Sequence, residues 1–563
     1  MKNLIVLLMC LILSVNNLLS QQVKLAKPDK VQYTWHEQER IMFIHFGMAS
    51  WQGVEYDKGT FDLKRINPDQ LNTDEWCRVA KSWGAKQIIF VAKHVGGFCW
   101  WPTKTTEYCI RNIPWKNGKG DLMADISASC KKFGLNLAVY CYPGDIQWGA
   151  GLGSGGKTSD PSKQEAYNKV YRQQLTELLT KYGSMTEVWF DGSCVINVND
   201  ILEKFASHAV ILQGPKASIR WPGTESGCVH YPAWNTLKSK DLKTGISTQY
   251  HDDADGDAWA PLEADAPIYN HSWFWSPKNE AKRRPLDQLM DIYYQSVGYG
   301  SVLLLNASPD TTGAIPQGDA DRFAEFGKEI SRRFDKALAT VTNKSGKIVE
   351  LSFDHPQKIN HAVIMEDYRE GHRIREYVVE GYVDNQWKLL ASGSSVGRKK
   401  IDPFMTVSVT KVRVRVTKNI ELPLIRSFQV FNVENFQFKQ SDYVTYNWKQ
   451  CGSWDTKPFI NGKEEMTIDL SAFVTKPGQY EVTFACDVCV VSMKVTKAEI
   501  IFDHDTTLQE YLTRKEGTNT FYINRTSQVA TSSSTVLKVQ MSSDNVVFQS
   551  RGTIRIRERS MLK

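Results

Sequence analysis

Asp191 follows the apolar run Val188-Trp189-Phe190 and precedes Gly192. If that run is a buried strand, the carboxylate emerges from its end into open space, and the glycine leaves room for a ligand. Other residues of chemical use close similar runs. His45 follows Ile41-Met42-Phe43-Ile44, His94 follows the stretch from Gln87 to Ala92, and Tyr140 and Tyr142 close the stretch that begins at Leu135. One polar residue at a strand end is usually a cap or a surface group. Recurrence at successive ends points to a binding mouth. The alternative for Asp191 is a helix cap, but the next expected helix opens only near Asn199. A carboxylate in such a mouth suits glycosidic-bond cleavage, which needs two carboxyl groups across the scissile bond. Candidates for the second are Glu225, in Arg220-Trp221-Pro222-Gly223-Thr224-Glu225-Ser226-Gly227, and Glu263, in Trp259-Ala260-Pro261-Leu262-Glu263-Ala264-Asp265. Both read as loop glutamates, and residue types alone do not rank them.

The elements that must position these groups follow a strand-then-helix rhythm from about residue 30 to residue 335. Helices are expected from Asn72 to Gly84, Asp121 to Phe133, Pro161 to Tyr182, Asn199 to Ser207, Leu286 to Val297 and Asp319 to Phe334. Strands are expected at Ile41 to Ile44, Gln87 to Ala92, Leu135 to Tyr140, Glu187 to Phe190, Ala209 to Leu212 and Val302 to Leu305. Near-continuous apolar strands between amphipathic helices imply a parallel sheet covered on both faces. About eight such units fit a (β/α)₈ barrel, whose site lies at the C-terminal strand ends. No glycine-rich phosphate loop follows the first strand. Beyond residue 336 the pattern alternates polar and apolar, as in Lys411-Val412-Arg413-Val414-Arg415-Val416, the period of half-exposed antiparallel strands. The expected organisation is a signal peptide over 1–20, a (β/α)₈ catalytic domain over 21–335, a β-sandwich over 336–434 and a second all-β domain over 435–563.

Composition narrows the function classes. The formal net charge of +7 is small for 563 residues, and the basic residues form no stripe, which argues against nucleic acid as partner. Lys2 and the apolar run from Leu4 to Val15 read as a cleaved export signal, too short to span a bilayer comfortably. A secreted or periplasmic location is therefore expected, with no membrane span. The 11 Cys show no disulfide framework and no paired metal knuckle; Cys486 and Cys489 form a lone C-x-x-C. Mostly free, buried cysteines are expected, and neither a metal nor a cofactor. The acidic stretch from Asp252 to Asp257 lacks the spacing of a calcium loop and reads as a solvated turn.

An ordered set of segments resembles the α-L-fucosidases of glycoside hydrolase family 29, in particular the branch acting on α-1,3/1,4-linked fucose. The set comprises His45-Phe46-Gly47, Ala92-Lys93-His94, Gly97-Phe98-Cys99 with Trp101-Pro102, and Pro114 through Asp121. It continues with Glu187-Val188-Trp189-Phe190-Asp191-Gly192, Arg220-Trp221 with Gly223 and Glu225, Trp273-Phe274, and Leu303-Leu304-Leu305-Asn306 with Pro309-Asp310. The β-sandwich after it is similar to the galactose-binding-type module often attached to these enzymes. The resemblance implies a retaining double displacement on a fucosylated oligosaccharide or glycoconjugate. Asp191 matches the nucleophile and Glu225 the acid/base, with Glu263 in reserve. His45, Glu55, His94, Tyr140, Trp189 and Arg220 match residues that hold fucose or frame the nucleophile. Trp273 and Phe274 are candidates for an apolar wall against the sugar methyl. Retention requires carboxyl groups about 5 Å apart.

One segment departs from the family. Where relatives carry two adjacent His and then Asp-Gly-Phe, this chain reads His94-Val95-Gly96-Gly97-Phe98. Two polar groups that would contact sugar are missing. Because both proposed carboxylates remain, the departure favours altered sugar specificity over lost activity. A non-catalytic glycan-binding barrel is the competing reading. A metal-dependent hydrolase is a weaker one, since His45 and His94 lack the clustered partners that a metal site wants.

Overall fold

In the computed structural model the expected apolar runs become parallel strands: β1 Arg40–Ile44, β2 Gln87–Lys93, β3 Asn136–Cys141, β4 Met185–Trp189, β5 Val210–Leu212, β6 Glu263–Pro267 and β7 Val302–Ala307. They form one curled sheet in the order β5-β4-β3-β2-β1-β7-β6, with every neighbouring pair parallel. The structure describes residues 25–242, 247–270 and 272–438, then the segments 443–445, 449–456, 462–488, 493–503, 505–514, 519–525, 534–543 and 551–561. The expected signal peptide and the side chains of Cys486 and Cys489 lie outside the described residues.

Helices α1 Thr73–Ser82, α2 Leu122–Phe133, α3 Gln164–Lys181, α4 Asn199–Phe205, α5 Leu286–Gln295 and α6 Gln317–Phe334 connect and cover the strands. Their ends follow local chemistry. The Asp121 carboxylate accepts the Ala124 N–H at the start of α2, and Gly134, at φ 64°, takes the left-handed turn that ends it.

Side chains alternate along each strand even though both faces are buried. Met42 and Ile44 pack outward in a cluster with Trp76 and Val79 of α1 and Leu122 of α2. Ile41 and Phe43 point inward, to Ile89, Val91, Ala138, Tyr140, Trp189, Leu212 and Leu304. The same count sends His45, Tyr140, Glu187, Trp189, Asp191, Glu263, Asp265 and Asn306 to the interior face.

The sheet has seven strands rather than eight. Its open edges are joined by isolated parallel bridges, Leu212 with Ile219 and Arg220 with Leu262. The Arg220 N–H donates to the Pro261 carbonyl at 2.8 Å, and the Glu263 N–H donates to the Arg220 carbonyl at 2.9 Å. The eighth position is thus two residues long. Strand β6 itself departs from expectation, because Glu263 reads as loop in the sequence. The run Glu-Ala-Asp-Ala-Pro carries no bulky apolar residue; its two acids face inward, Ala266 packs toward α5 and Ala264 packs with Val229, Ala233 and Leu262.

Glu263 therefore sits at the barrel floor, not on a loop at the mouth. It is fully buried. The Trp189 indole N–H donates both to Glu263 Oε2 at 2.8 Å and to Glu187 Oε1 at 2.9 Å. The Trp35 indole and the Gln87 amide supply Glu187 Oε2 at 2.8 and 2.7 Å. Burial lifts the Glu187 carboxyl to about 7, and burial with the charge of Glu187 lifts Glu263 well above the carboxylate range. The pair is held with at least one proton near neutrality.

A six-stranded antiparallel sheet follows, in the order 339–345, 424–431, 348–366, 400–419, 374–383 and 386–393. Register shifts between Ser352 and Gln357 and between Ile359 and His361 bend its long strands around one apolar core. It docks on the barrel through Arg426 and Glu37 at 2.9 Å and through the stacked rings of Trp259 and Tyr368 at 5.8 Å. The last described segments form two further antiparallel sheets around their own core. There Arg555 lies over the Tyr250 ring of the barrel at 5.2 Å.

The carboxyl pair at the floor makes stability depend on pH. Both folded-state values are raised above those of the unfolded chain. Their contribution is complete below the unfolded carboxyl range, near 4.5, and is lost as pH rises through about 7. Glu263→Gln keeps an acceptor for Trp189 and removes the second charge. Thermal melts from pH 5 to 9 should show a flatter decline for the variant than for the parent protein.

Candidate active site

The mouth of the barrel is built from the inward residues one step above the floor. Strand β4 ends at Trp189, and the Phe190 N–H still reaches the Leu212 carbonyl at 3.2 Å. Asp191 then takes φ 55°, in the left-handed region. Aspartate tolerates that region better than most residues, at a cost of about 1 kcal/mol or more. The turn places its carboxylate over the sheet, where water still reaches it. The Tyr140 hydroxyl donates to Asp191 Oδ2 at 2.8 Å. The surrounding protein raises the Asp191 pKa by desolvation, and the Tyr140 bond pulls it back down.

Glu225 reaches the same space from the segment after Arg220. The Trp273 side chain hydrogen-bonds to its carboxyl. Desolvation lifts its pKa above the usual carboxylate range, and the charges of Asp191 and Glu55 add to the effect. Glu55 is anchored by the Trp273 backbone N–H at 2.9 Å, and burial raises its pKa too.

The two histidines are neutral. Burial lowers His45 to about 3 and His94 to about 4. Asn306 Nδ2 donates to the Trp273 carbonyl at 2.8 Å, so its Oδ1 must accept from His45 Nδ1, also at 2.8 Å. The proton is thereby assigned to Nδ1 and a lone pair to Nε2. His94 stacks against Tyr140 at 5.8 Å and Tyr56 at 6.1 Å, and meets Phe274 edge-on at 5.2 Å. Its buried Nδ1 has no hydrogen-bond partner among the described residues. The Trp273 ring lies 5.0 Å from that of His45. With His45 Nδ1 committed to an amide, the two rings show no ligand set, and no cluster of three His, Cys, Asp or Glu suited to a metal occurs among the described residues.

Two of the expected sugar-contacting residues stand elsewhere. The Trp189 indole N–H points down to Glu187 and Glu263, so only its ring, 6.1 Å from Tyr140, supports the mouth from below. Arg220 is 1% exposed and turned away from the mouth. Its guanidinium donates to the carbonyls of Ala260, Thr248 and Trp234 at 2.8–2.9 Å and to Asp252 Oδ1 at 2.8 Å. Burial raises the Asp252 carboxyl to about 6 against the pull of Arg220. Asp252 is thus an internal counter-ion rather than part of a solvated turn, and Arg220 is a brace at the barrel's closing edge rather than a ligand for sugar hydroxyls.

Three residues at or bordering the mouth escape a motif-based reading. Tyr56 is exposed over His94, and its hydroxyl senses Asp191, Glu225 and Glu55. Asn306 fixes His45. Asp265, buried in β6, accepts from the Trp221 indole at 2.7 Å and senses both Glu225 and Asp191. Counting by twos from Glu263 along β6 finds Asp265, and counting from the inward Leu304 along β7 finds Asn306.

The departure at residues 95 and 96 has a structural answer. Val95 is buried in the interior cluster with Val91, Tyr140 and Tyr142. A Cβ on Gly96 would lie 2.1 Å from Asp57 Oδ2. The space of the missing side chain is filled by Asp57, whose carboxylate accepts from Gln52 at 2.6 Å, the Gly59 N–H at 3.0 Å and the Tyr108 hydroxyl at 3.0 Å. Beside it a cavity lined by Phe46, Asp57, His94, Gly96 and Phe274 measures about 20 Å³, room for one water.

A family model described as Alpha-L-fucosidase matches residues 17–333. The chain belongs to the α-L-fucosidase family. It is a glycoside hydrolase. "Alpha-L-fucosidase 1" of Arabidopsis thaliana is 29% identical over 447 residues, covering 71% of this chain and 86% of the plant protein. A putative α-L-fucosidase from Bacteroides thetaiotaomicron superposes with a TM-score of 0.69 at 33% identity, covering 73% of this chain and 100% of that one. A Ruminococcus gnavus GH29 fucosidase, solved in complex with fucose, gives a TM-score of 0.63 at 25% identity, covering 73% of this chain and 95% of that one.

Two outcomes follow for this fucosidase-family site. Arg220→Ala strands Asp252 without its counter-ion and should lower stability by about 3–5 kcal/mol, read as a fall in Tm; a sugar-binding role would instead raise KM at constant Tm. Tyr140→Phe removes the bond that favours ionised Asp191. The acid limb of the pH–kcat/KM profile should move to higher pH, and kcat should fall about tenfold.

Proposed function

We propose that the protein releases terminal α-L-fucose from glycans by a retaining double displacement, with Asp191 as nucleophile and Glu225 as general acid/base. The observation that carries this reading is the unequal setting of two carboxyls at one mouth. Asp191 receives a hydroxyl donor that favours its ionised form. Glu225 faces the charges of Asp191 and Glu55, which favour its protonated form. That difference separates an attacking carboxylate from a proton-holding acid. Asp191 attacks the anomeric carbon while Glu225 passes its proton to the departing oxygen. Glu225, now ionised, then takes a proton from the water that releases fucose.

His45, His94, Glu55 and Trp273 line the same space and suit the hydroxyls and methyl of a six-carbon deoxy sugar. The fucose complex of the Ruminococcus gnavus relative is consistent with a fucosylated glycan as substrate. The placement of Glu225 in Arg-Trp-Pro-Gly-Thr-Glu-Ser-Gly supports the α-1,3/1,4 branch. Val95, buried among Val91, Tyr140 and Tyr142, takes away a polar group that relatives offer to the sugar, which favours tolerance of a second sugar of similar configuration, such as galactose. The apolar leader supports export to the periplasm or medium.

The test is hydrolysis of an aryl α-L-fucoside, with aryl β-D-galactoside and fucosylated oligosaccharides in parallel. Asp191→Gly should lower kcat by more than about 1,000-fold, and added azide should restore part of it as a fucosyl azide. Unchanged turnover in the variant would sink the assignment. Glycan binding without any released sugar, in the parent protein, would favour the binding-protein reading.

A further inference from the structure

The segment that carries Glu225 is an arch with few supports. On one side it begins at Arg220, whose backbone pairs with Pro261 and Glu263 at the edge of β6. On the other it ends at Gly227, whose N–H donates to the Asp265 carbonyl at 2.8 Å. Gly227 lies hard against β6: a Cβ there would stand 3.0 Å from that of Ala266 and 2.8 Å from Ile292. Residues 221–226 bridge these two anchors. A side-chain bond from the arch back to the strand runs from the Trp221 indole N–H to Asp265 Oδ1, at 2.7 Å. Asp265 is 3% exposed and stands two residues above Glu263 on the inward face.

We propose that Asp265 is the positioning residue for the acid/base: its carbonyl holds Gly227 at one end of the arch bearing Glu225, and its side chain holds Trp221 near the other, beside the backbone pairing of Arg220 and the bridge of Trp221 to Thr248. The inference rests on the reading of Glu225 as general acid/base. The groups facing Asp265 are Trp221, Glu225, Asp191 and, one layer below on the same strand, Glu263. Burial first, and then the charge of Glu225, push the Asp265 carboxyl well above the ordinary range. That shift favours its neutral form, in which it acts through its hydrogen bond to Trp221 rather than through a negative charge. An amide in its place keeps the acceptor and loses nothing electrostatic.

The experiment is a comparison of kcat/KM on two fucosides, one with an acidic phenol that departs unaided and one with an alkyl or sugar aglycone that needs protonation. Asp265→Ala should lower kcat/KM about 10–100-fold on the second substrate and less than about threefold on the first. Asp265→Asn should restore most of the loss with an unchanged pH profile. Trp221→Phe, which removes the donor from the other end of the same bond, should repeat the alanine pattern and serves if Asp265→Ala does not fold. An equal loss on both substrates would overturn the proposal. So would an Asn variant as impaired as the Ala variant, or one whose basic limb moves to lower pH. Glu225→Gln is the control. If it shows no dependence on the leaving group, the acid/base assignment fails; if it shows one and neither Asp265→Ala nor Trp221→Phe does, only the positioning role fails.

Discussion

Side chains along a strand alternate with a period of two, and in a parallel sheet curled on itself the inward set shares one narrow interior. That constraint organises this molecule. Starting from Ile41, the inward count along β1 runs Ile41, Phe43, His45: two layers of packing and then a sugar-facing group. Along β4 it runs Glu187, Trp189, Asp191, and along β6 Glu263, Asp265. Strands β1 and β4 thus each reach from the floor through a middle layer to the mouth, and β6 contributes Glu263 at the floor and Asp265 above it. The chemistry at the top is fixed by the packing beneath it, because a slip of one residue would exchange every inward group for an outward one.

The same constraint explains how one barrel holds carboxyls in different states. Glu187 and Glu263 sit buried at the floor with no cation paired to them among the described residues, so they keep at least one proton and take hydrogen bonds from the indole of Trp189, the indole of Trp35 and the amide of Gln87. At the mouth, Asp191 meets a hydroxyl donor and solvent, and Glu225 meets an indole donor and two like charges. Depth, donors and neighbouring charge set each group, not residue type. Trp189 links the layers: its N–H ties the floor acids together while its ring underlies Tyr140, which in turn holds Asp191.

Much of this was legible in the sequence, for definable reasons. Strands β1 to β5 and β7 are apolar on both faces and announce themselves as runs, and Asp121 and Gly134 mark the ends of α2 by capping chemistry. Asp191, His45 and His94 could be placed at strand ends because those runs end cleanly. Strand β6 was not legible. Its inward residues are acids, its outward residues are alanines, and it ends in proline, so it has no apolar run and its alternation carries none of the β-branched or aromatic residues that mark a strand. Glu263 consequently read as a mouth residue when it lies at the floor. Arg220 misled for a related reason. The eighth barrel position is only Ile219-Arg220, too short for any periodicity, and a buried arginine spanning three carbonyls and Asp252 has the same one-letter signature as one that grips a ligand.

The replacement of the family's second histidine and aspartate shows how local such a change can be. Val95 extends the interior apolar cluster by one residue without disturbing His94, which keeps its stack with Tyr140 and Tyr56. The present course of the 52–59 segment is compatible only with glycine at 96, because Asp57 occupies the volume that a side chain there would need. The two substitutions and Asp57 therefore form one coupled exchange: restoring a side chain at 96 requires moving Asp57, and with it the bonds to Gln52, Gly59 and Tyr108. Glu55 and Tyr56, which border the mouth, ride on that same segment. A change that looks like the loss of two sugar contacts is thus also a re-anchoring of the loop that presents two others.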